Sequence, residues 1–66
     1  MTDRERIGRR IKEIRIKKGM SQFKLAELIG LRQQHIARIE SGLYSTGIDI
    51  LSKIADALGC KIDLIE

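Results

Sequence analysis

Proline is absent, and glycine punctuates the chain instead: Gly19, Gly30, Gly42, Gly47 and Gly59 divide it into short, helix-length pieces. No repeat and no low-complexity tract interrupts this pattern. At 66 residues a folded chain buries only about 60% of the surface it exposes when unfolded. One small domain over 1–66 is therefore expected, with a helical body over 1–59 and a tail over 60–66. Hydrophobic residues at 42% and charged residues at 33% fit a folded domain rather than a disordered tail. The single cysteine excludes an internal disulfide framework and a cysteine-based zinc cluster. One His and one Cys make no metal site, so no cofactor is expected. Apolar runs are too short for a membrane span or a secretory signal, and a reduced, cytoplasmic setting is expected.

Each piece has helical signals. Over about Asp3–Lys18, Ile7, Ile11 and Ile14 recur at i, i+4 and i+7 on one stripe. Thr2 and Glu5 have capping-box spacing. Lys17 and Lys18 suit the last turn, and Gly19 suits the position just beyond it. Ile16 lies off the stripe. In Ser21–Ile29, Ser21 is an expected N-cap. Phe23, Leu25, Ala26, Leu28 and Ile29 cover most of the circumference, which predicts a short helix packed on two sides. From Arg32 to about Ser41 only Ile36, Ala37 and Ile39 are apolar, and the leading residues Arg32-Gln33-Gln34-His35 are all hydrogen-bonding groups. Such a helix can stand proud of a domain, although Arg32 is a poor N-cap. Leu43–Thr46 is a loop. A fourth helix over about Ile48–Leu58, capped by Thr46 or Gly47, buries Ile48, Leu51, Ile54, Ala55 and Leu58.

In the tail, Cys60, Ile62 and Leu64 alternate with Lys61 and Asp63, a period-two strand signal. The alternative is a frayed end. A lone strand leaves its backbone groups unpaired, and the same strand of a second copy across a two-fold axis would pair them. A homodimer sealed by a two-stranded antiparallel ribbon is the expectation.

Charge is uneven. Residues 1–24 hold nine cations and three anions, whereas residues 25–66 hold four cations and six anions. A basic end on a neutral to acidic remainder fits a polyanionic partner; the bland reading is a solvated helix face.

The second and third pieces, joined by Gly30-Leu31-Arg32, form a helix-turn-helix candidate. With Gln22 as first position, Ala26 is fifth, Gly30 ninth, Ile36 fifteenth and Ile39 eighteenth. A small residue at Ala26 lets the next helix cross closely. Gly30 permits the positive φ of a sharp turn. Ile36 and Ile39 anchor the second helix and free its other face. These positions, with Glu40-Ser41-Gly42 and Ile54-Ala55-Asp56-Ala57-Leu58-Gly59, resemble the Cro/repressor-type (XRE-like) helix-turn-helix family over about residues 5–60. The resemblance implies an all-α, compact four- to five-helix, lambda-repressor-like DNA-binding domain, here with a short C-terminal strand. Two positions depart from the family pattern. Arg32 stands where Ser or Thr is usual, and Lys24 stands where an acid is common.

Residue roles follow from geometry and resemblance together. The leading end of a recognition helix reaches base edges in the major groove, which places Arg32, Gln33, Gln34 and His35 there. Glutamine can pair with adenine N6 and N7, and arginine with guanine O6 and N7. Gln33 and Gln34 look like the base-reading pair of similar phage repressors. Arg32 and Arg38 are assigned to bases or phosphates, and His35 to a polar contact. Gln22 opens a helix, where phosphate oxygens are well received, and Lys24 is a phosphate cation. Tyr44, Ser45 and Thr46 follow the recognition helix, where similar proteins clamp the backbone; Tyr44 packing on the fourth helix is the alternative. Similar proteins join the positions of Arg15 and Glu40 by a partly buried ion pair. Two exposed, weakly coupled charges are the alternative.

The leading expectation is a sequence-specific DNA-binding transcriptional regulator. It would be a repressor that binds a near-palindromic site as a homodimer, with recognition helices about 34 Å apart. Short helix-turn-helix antitoxins look similar, so a toxin protein is an expected partner in that branch. No inducer domain is expected in a chain of this length. The competing reading is a protein-interaction module that has lost DNA binding and presents Ile16, Phe23 and the tail. No phosphate-binding glycine loop, paired nucleophile and base, or metal-ligand cluster is present, and no enzyme is expected.

Overall fold

In the computed structural model, which describes residues 1–66, four helices follow one another. They are α1 (Asp3–Lys17), α2 (Gln22–Ile29), α3 (Gln33–Glu40) and α4 (Ile48–Ala57). Thr2 starts α1: its hydroxyl accepts from the Glu5 N–H at 3.2 Å, and the Glu5 carboxylate accepts from the Thr2 N–H at 2.9 Å. This reciprocal pair satisfies donors that a helix start leaves free. The backbone hydrogen bond from Thr2 holds the Glu5 carboxyl below its ordinary value, aided by the Thr2 hydroxyl and by Arg4 and Arg9. Ser21 starts α2 by accepting from the Lys24 N–H at 3.0 Å. Gly30 ends α2 at φ 73°, a left-handed conformation that glycine adopts without steric cost. The chain then turns through Leu31 and Arg32 into α3.

Packing follows the apolar stripes. α3 lies against both α1 and α2, and α4 rests on α2. Ile11 of α1, Leu25 and Ala26 of α2, Ile36 and Ile39 of α3, Ile54 of α4 and Leu58 beyond it make the buried core. Ile7, Ile14, Met20, Ile29 and Leu51 close it from the rim. Gly8, silent in the sequence pattern, explains how α1 and α3 come so close. A Cβ built there would collide with the carbonyl oxygens of Ile39 and Glu40. The backbones of α1 and the end of α3 therefore touch where any other residue would hold them apart.

Three expectations are corrected. The α2 helix packs on two neighbours, α3 and α4, but less of its apolar surface is covered than expected: Phe23 is 62% and Leu28 51% exposed, and only Leu25 and Ala26 are fully buried. Phe23 and Leu28 lie where no element covers this eight-residue helix. Ile48 is 64% exposed, because it opens α4 ahead of the turn that reaches the core. Cys60–Glu66 form no strand. The Cys60 N–H closes α4 on the Ala55 carbonyl at 2.8 Å, and Cys60 packs partly against the core. Past it the tail is exposed, because a strand needs a hydrogen-bonding neighbour and one copy of the chain supplies none. No helix is long and apolar enough to cross a membrane.

Replacing Gly8 by Ala forces the α1–α3 contact open. A loss of about 1–3 kcal/mol in urea-induced unfolding is expected; an unchanged midpoint would show that α1 and α3 do not meet as closely as this.

Candidate nucleic-acid interface

The α3 helix owes its orientation to one polar cluster at its C-terminal end. The Arg15 guanidinium donates to Glu40 twice, Nε to Oε2 at 2.6 Å and Nη2 to Oε1 at 3.0 Å. Its Nη1 donates to the Met20 carbonyl at 2.8 Å. The Gln22 amide adds a third donor to Glu40, Nε2 to Oε1 at 3.0 Å. The Arg15 side chain is 9% and that of Glu40 3% exposed. Charges this deep are tolerated only when paired and hydrogen-bonded, and a two-pronged guanidinium–carboxylate contact is the strong form of such a pair. One residue each from α1, α2 and α3 therefore meets at a single carboxylate. The loop before α2 joins them through the Met20 carbonyl.

At the other end, α3 is open. Arg32 precedes it in extended backbone, with no side chain capping the first turn. Arg32, Gln33, Gln34 and Arg38 are exposed, while Ile36 and Ile39 point into the core. This alternation puts Gln33, Gln34 and Arg38 on the outward face of a helix whose inward face is clamped, with Arg32 just ahead of them. Arg32, Gln34, His35, Arg38 and Tyr44 line one surface groove. Phe23, Leu31, Arg32, Gln33 and Gln34 line another.

The remaining residues singled out in the sequence are placed as follows. His35 is half-buried, with the Tyr44 ring edge-on to it at 4.7 Å and 90°. Its Nε2 is buried without a hydrogen-bond partner, so that edge faces protein. Tyr44 thus rests on α3. Thr46 is half-buried, its hydroxyl enclosed and unpartnered, and it does not present that hydroxyl to a ligand. Ser45 is exposed. Lys24 is exposed and bridged to Glu27 at 3.2 Å. The Gln22 amide is spent on Glu40, a commitment that could not be read from spacing, since Gln22 and Glu40 lie 18 positions apart. Phe23, weighed in the sequence only as a protein contact, stands beside Gln33 and Gln34. The signal that singles it out is a large aromatic left uncovered at the start of α2.

Two short helices joined by a tight glycine turn, the second clamped on one face and open on the other, define a helix-turn-helix protein. Comparison with known proteins gives the family. The profile of the helix-turn-helix family HTH_3 matches residues 11–65, and the chain belongs to that family, a class of DNA-binding transcriptional regulators rather than of enzymes. It is 36% identical over 59 residues to the immunity repressor protein of Bacillus phage phi105, covering 89% of this chain and 41% of the repressor. The chain therefore spans about two fifths of that relative's length. Among solved structures it is similar to the restriction-modification controller protein C.AhdI from Aeromonas hydrophila. That match has a TM-score of 0.85 and 34% identity, over 89% of this chain and 86% of the controller. It is also similar to SinR, the master regulator for biofilm formation, solved in complex with DNA. There the TM-score is 0.78 and the identity 36%, over 83% of this chain and 89% of SinR.

Removing either half of the buried pair, by Arg15→Met or Glu40→Leu, strands a charge or its donors. A loss of about 3–5 kcal/mol is expected in chemical denaturation, a large share of the few kcal/mol that hold a domain of this size. The double replacement should recover most of it. Single losses below about 1 kcal/mol would place the pair with exposed, weakly coupled charges instead.

Proposed function

We propose that this chain is a transcriptional repressor that reads a near-palindromic operator by placing α3 in the major groove, two copies acting together. The observation that carries the reading is the outward face of α3. Arg32, Gln33, Gln34 and Arg38 stand exposed on a helix fixed from behind by Ile36, Ile39 and the Arg15–Glu40 pair. Gln33 and Gln34 offer the paired donor and acceptor that adenine N6 and N7 require, and Arg32 and Arg38 the fork that suits guanine or a phosphate. The SinR complex with DNA, on a similar fold, supports the same mode of use.

Phosphate contacts come from Lys24, Tyr44 and Ser45. Gln22 contributes from its backbone N–H, which at the first position of a helix has no intrahelical acceptor. Such contacts carry most of the affinity and its salt dependence, while base contacts carry the preference for sequence.

The second copy is expected at the tail. Ile62, Leu64 and Ile65 are 42%, 97% and 94% exposed, on backbone that lacks a ladder partner. The matching segment of another copy would pair this backbone and cover the side chains in one step. An antitoxin of a toxin–antitoxin operon would use the same DNA face and add a protein partner. Co-purification of a neighbouring gene's product with the tagged chain separates that case from a repressor that acts alone.

Two outcomes test the reading. On a site selected from random DNA, Gln33→Ala should lose roughly 1–3 kcal/mol of affinity and relax preference at one base pair. Lys24→Ala should weaken selected and random DNA alike. Equal losses on both DNAs for Gln33→Ala would refute the base-reading role. In sedimentation, the chain should run at twice its 7.5 kDa, and the Ile62→Lys/Leu64→Lys variant at the monomer mass with its helical signal intact. A wild-type chain that stays monomeric well above its DNA-binding concentration would remove the tail from the assembly.

A further inference from the structure

The chain has two aromatic side chains, Phe23 and Tyr44, and each lines a groove shared with the leading end of α3. Tyr44 is engaged by His35. Phe23 is not engaged by any ring, and it is 62% exposed. A phenyl group this exposed forgoes much of the stabilisation that burial would give it. An isolated exposed apolar residue is ordinary, but this one has unusual company. Its groove is walled by Ala26 and Leu31 on the apolar side and by Arg32, Gln33 and Gln34 on the polar side. The one acid there, Glu27, is bridged to the exposed Lys24.

We infer that Phe23 is a specificity residue that packs on the 5-methyl group of a thymine, in or next to a base pair read by Gln33 or Gln34. This inference rests on the DNA-binding reading and deepens it. Among the four bases only thymine presents a methyl group to the major groove, and phenylalanine is one of the side chains able to meet it by apolar contact. The adenine that suits a glutamine lies opposite a thymine in its own base pair, so the amide and the ring would read two edges of the same or adjacent steps. Charge selects the occupant of the groove. A phenyl group that shares its groove with Arg32 and two amides, its one carboxylate already paired with Lys24, suits an apolar point on a polyanion better than an apolar protein surface.

The test removes the methyl group and the ring separately. A preferred site is first selected from random DNA with the wild-type chain. Duplexes are then made in which each thymine in turn is replaced by deoxyuridine, which deletes only the 5-methyl group, and dissociation constants are measured at fixed salt. One thymine should show a loss of about fourfold, the worth of one buried methyl-sized group. In Phe23→Ala that loss should vanish. In Phe23→Leu, which keeps apolar bulk, part of it should remain, and in Gln33→Ala it should persist. Because Phe23 is exposed, these variants should keep their helical signal. The inference is overturned by a wild-type chain indifferent to uracil at every position. It is equally overturned by a Phe23→Ala variant with the wild-type uracil penalty, or by one that only changes sedimentation mass. Failure of the wild-type chain to enrich any sequence would instead sink the DNA-reading proposal beneath it, so the two failures are distinguishable.

Discussion

A guanidinium and a carboxylate shut away from water hold three helices in register. Their removal from solvent costs several kcal/mol per ion, and that cost is offset only because every prong is used. Arg15 donates twice to Glu40 and once to the Met20 carbonyl, and Gln22 supplies a further donor to the same carboxylate. An apolar pair could match the stability, but not the direction. The inward face of α3 is thin, with Ile36 and Ile39 fully buried and Ala37 only partly. Two isoleucines fix how deep a helix sits far better than how it is rotated about its axis. A two-pronged ion pair at Glu40, one position after Ile39, fixes the rotation as well. Gly8 completes the arrangement by letting the α1 backbone reach the carbonyls of Ile39 and Glu40.

Fixing one end of α3 leaves the other free to be locally weak. An isolated eight-residue helix is not stable in water, and this one starts without a side-chain cap at Arg32. Serine or threonine there would stabilise the first turn by about 1 kcal/mol. Arginine places a long cation at the same point and leaves the first turn without a side-chain acceptor. Local rules tend to be broken at functional sites, where stability supplied elsewhere makes the breach tolerable. Here the supply comes from the clamp at the opposite end of the same helix and from the core beneath it.

What was legible in the sequence was local. Thr2 with Glu5, Ser21 before α2, Gly30 after it, and the Ile36–Ile39 seam each act within one turn of their own position, so spacing alone reveals them. Arg15 and Glu40 lie 25 positions apart, and only resemblance to similar proteins brought them together. The long-range commitments left no trace. Gln22 reads as the opening of a helix, and nothing in its neighbours says that its amide turns inward. Gly8 sits within the first helical stretch without announcing that a carbonyl lies where its Cβ would be. Phe23 and Ile48 fit their apolar stripes, yet both are exposed, because periodicity records which face is apolar and not whether a neighbour exists to cover it. The alternation in Cys60–Leu64 states a capacity for pairing that one copy of the chain has no means to satisfy.

Magnitudes argue that the unsatisfied tail and the reading helix belong to one design in the proposed assembly. A well-placed bidentate side chain discriminates its base by about 1–3 kcal/mol. Two glutamines on one α3 therefore reach about 2–6 kcal/mol at best, the low end of the roughly 4–10 kcal/mol that separates specific from non-specific binding in working regulators. Doubling the helix on one duplex moves the total into that range without a new kind of contact. The second copy has to leave α3 and the start of α2 uncovered, which excludes the Gln33–Phe23 surface as its seat. Ile62, Leu64 and Ile65 lie outside both grooves at the leading end of α3, and their backbone lacks the partner a strand requires. A contact there would join two reading helices while leaving both free to enter the groove, and two-fold symmetry in the protein would then be matched by two-fold symmetry in the DNA.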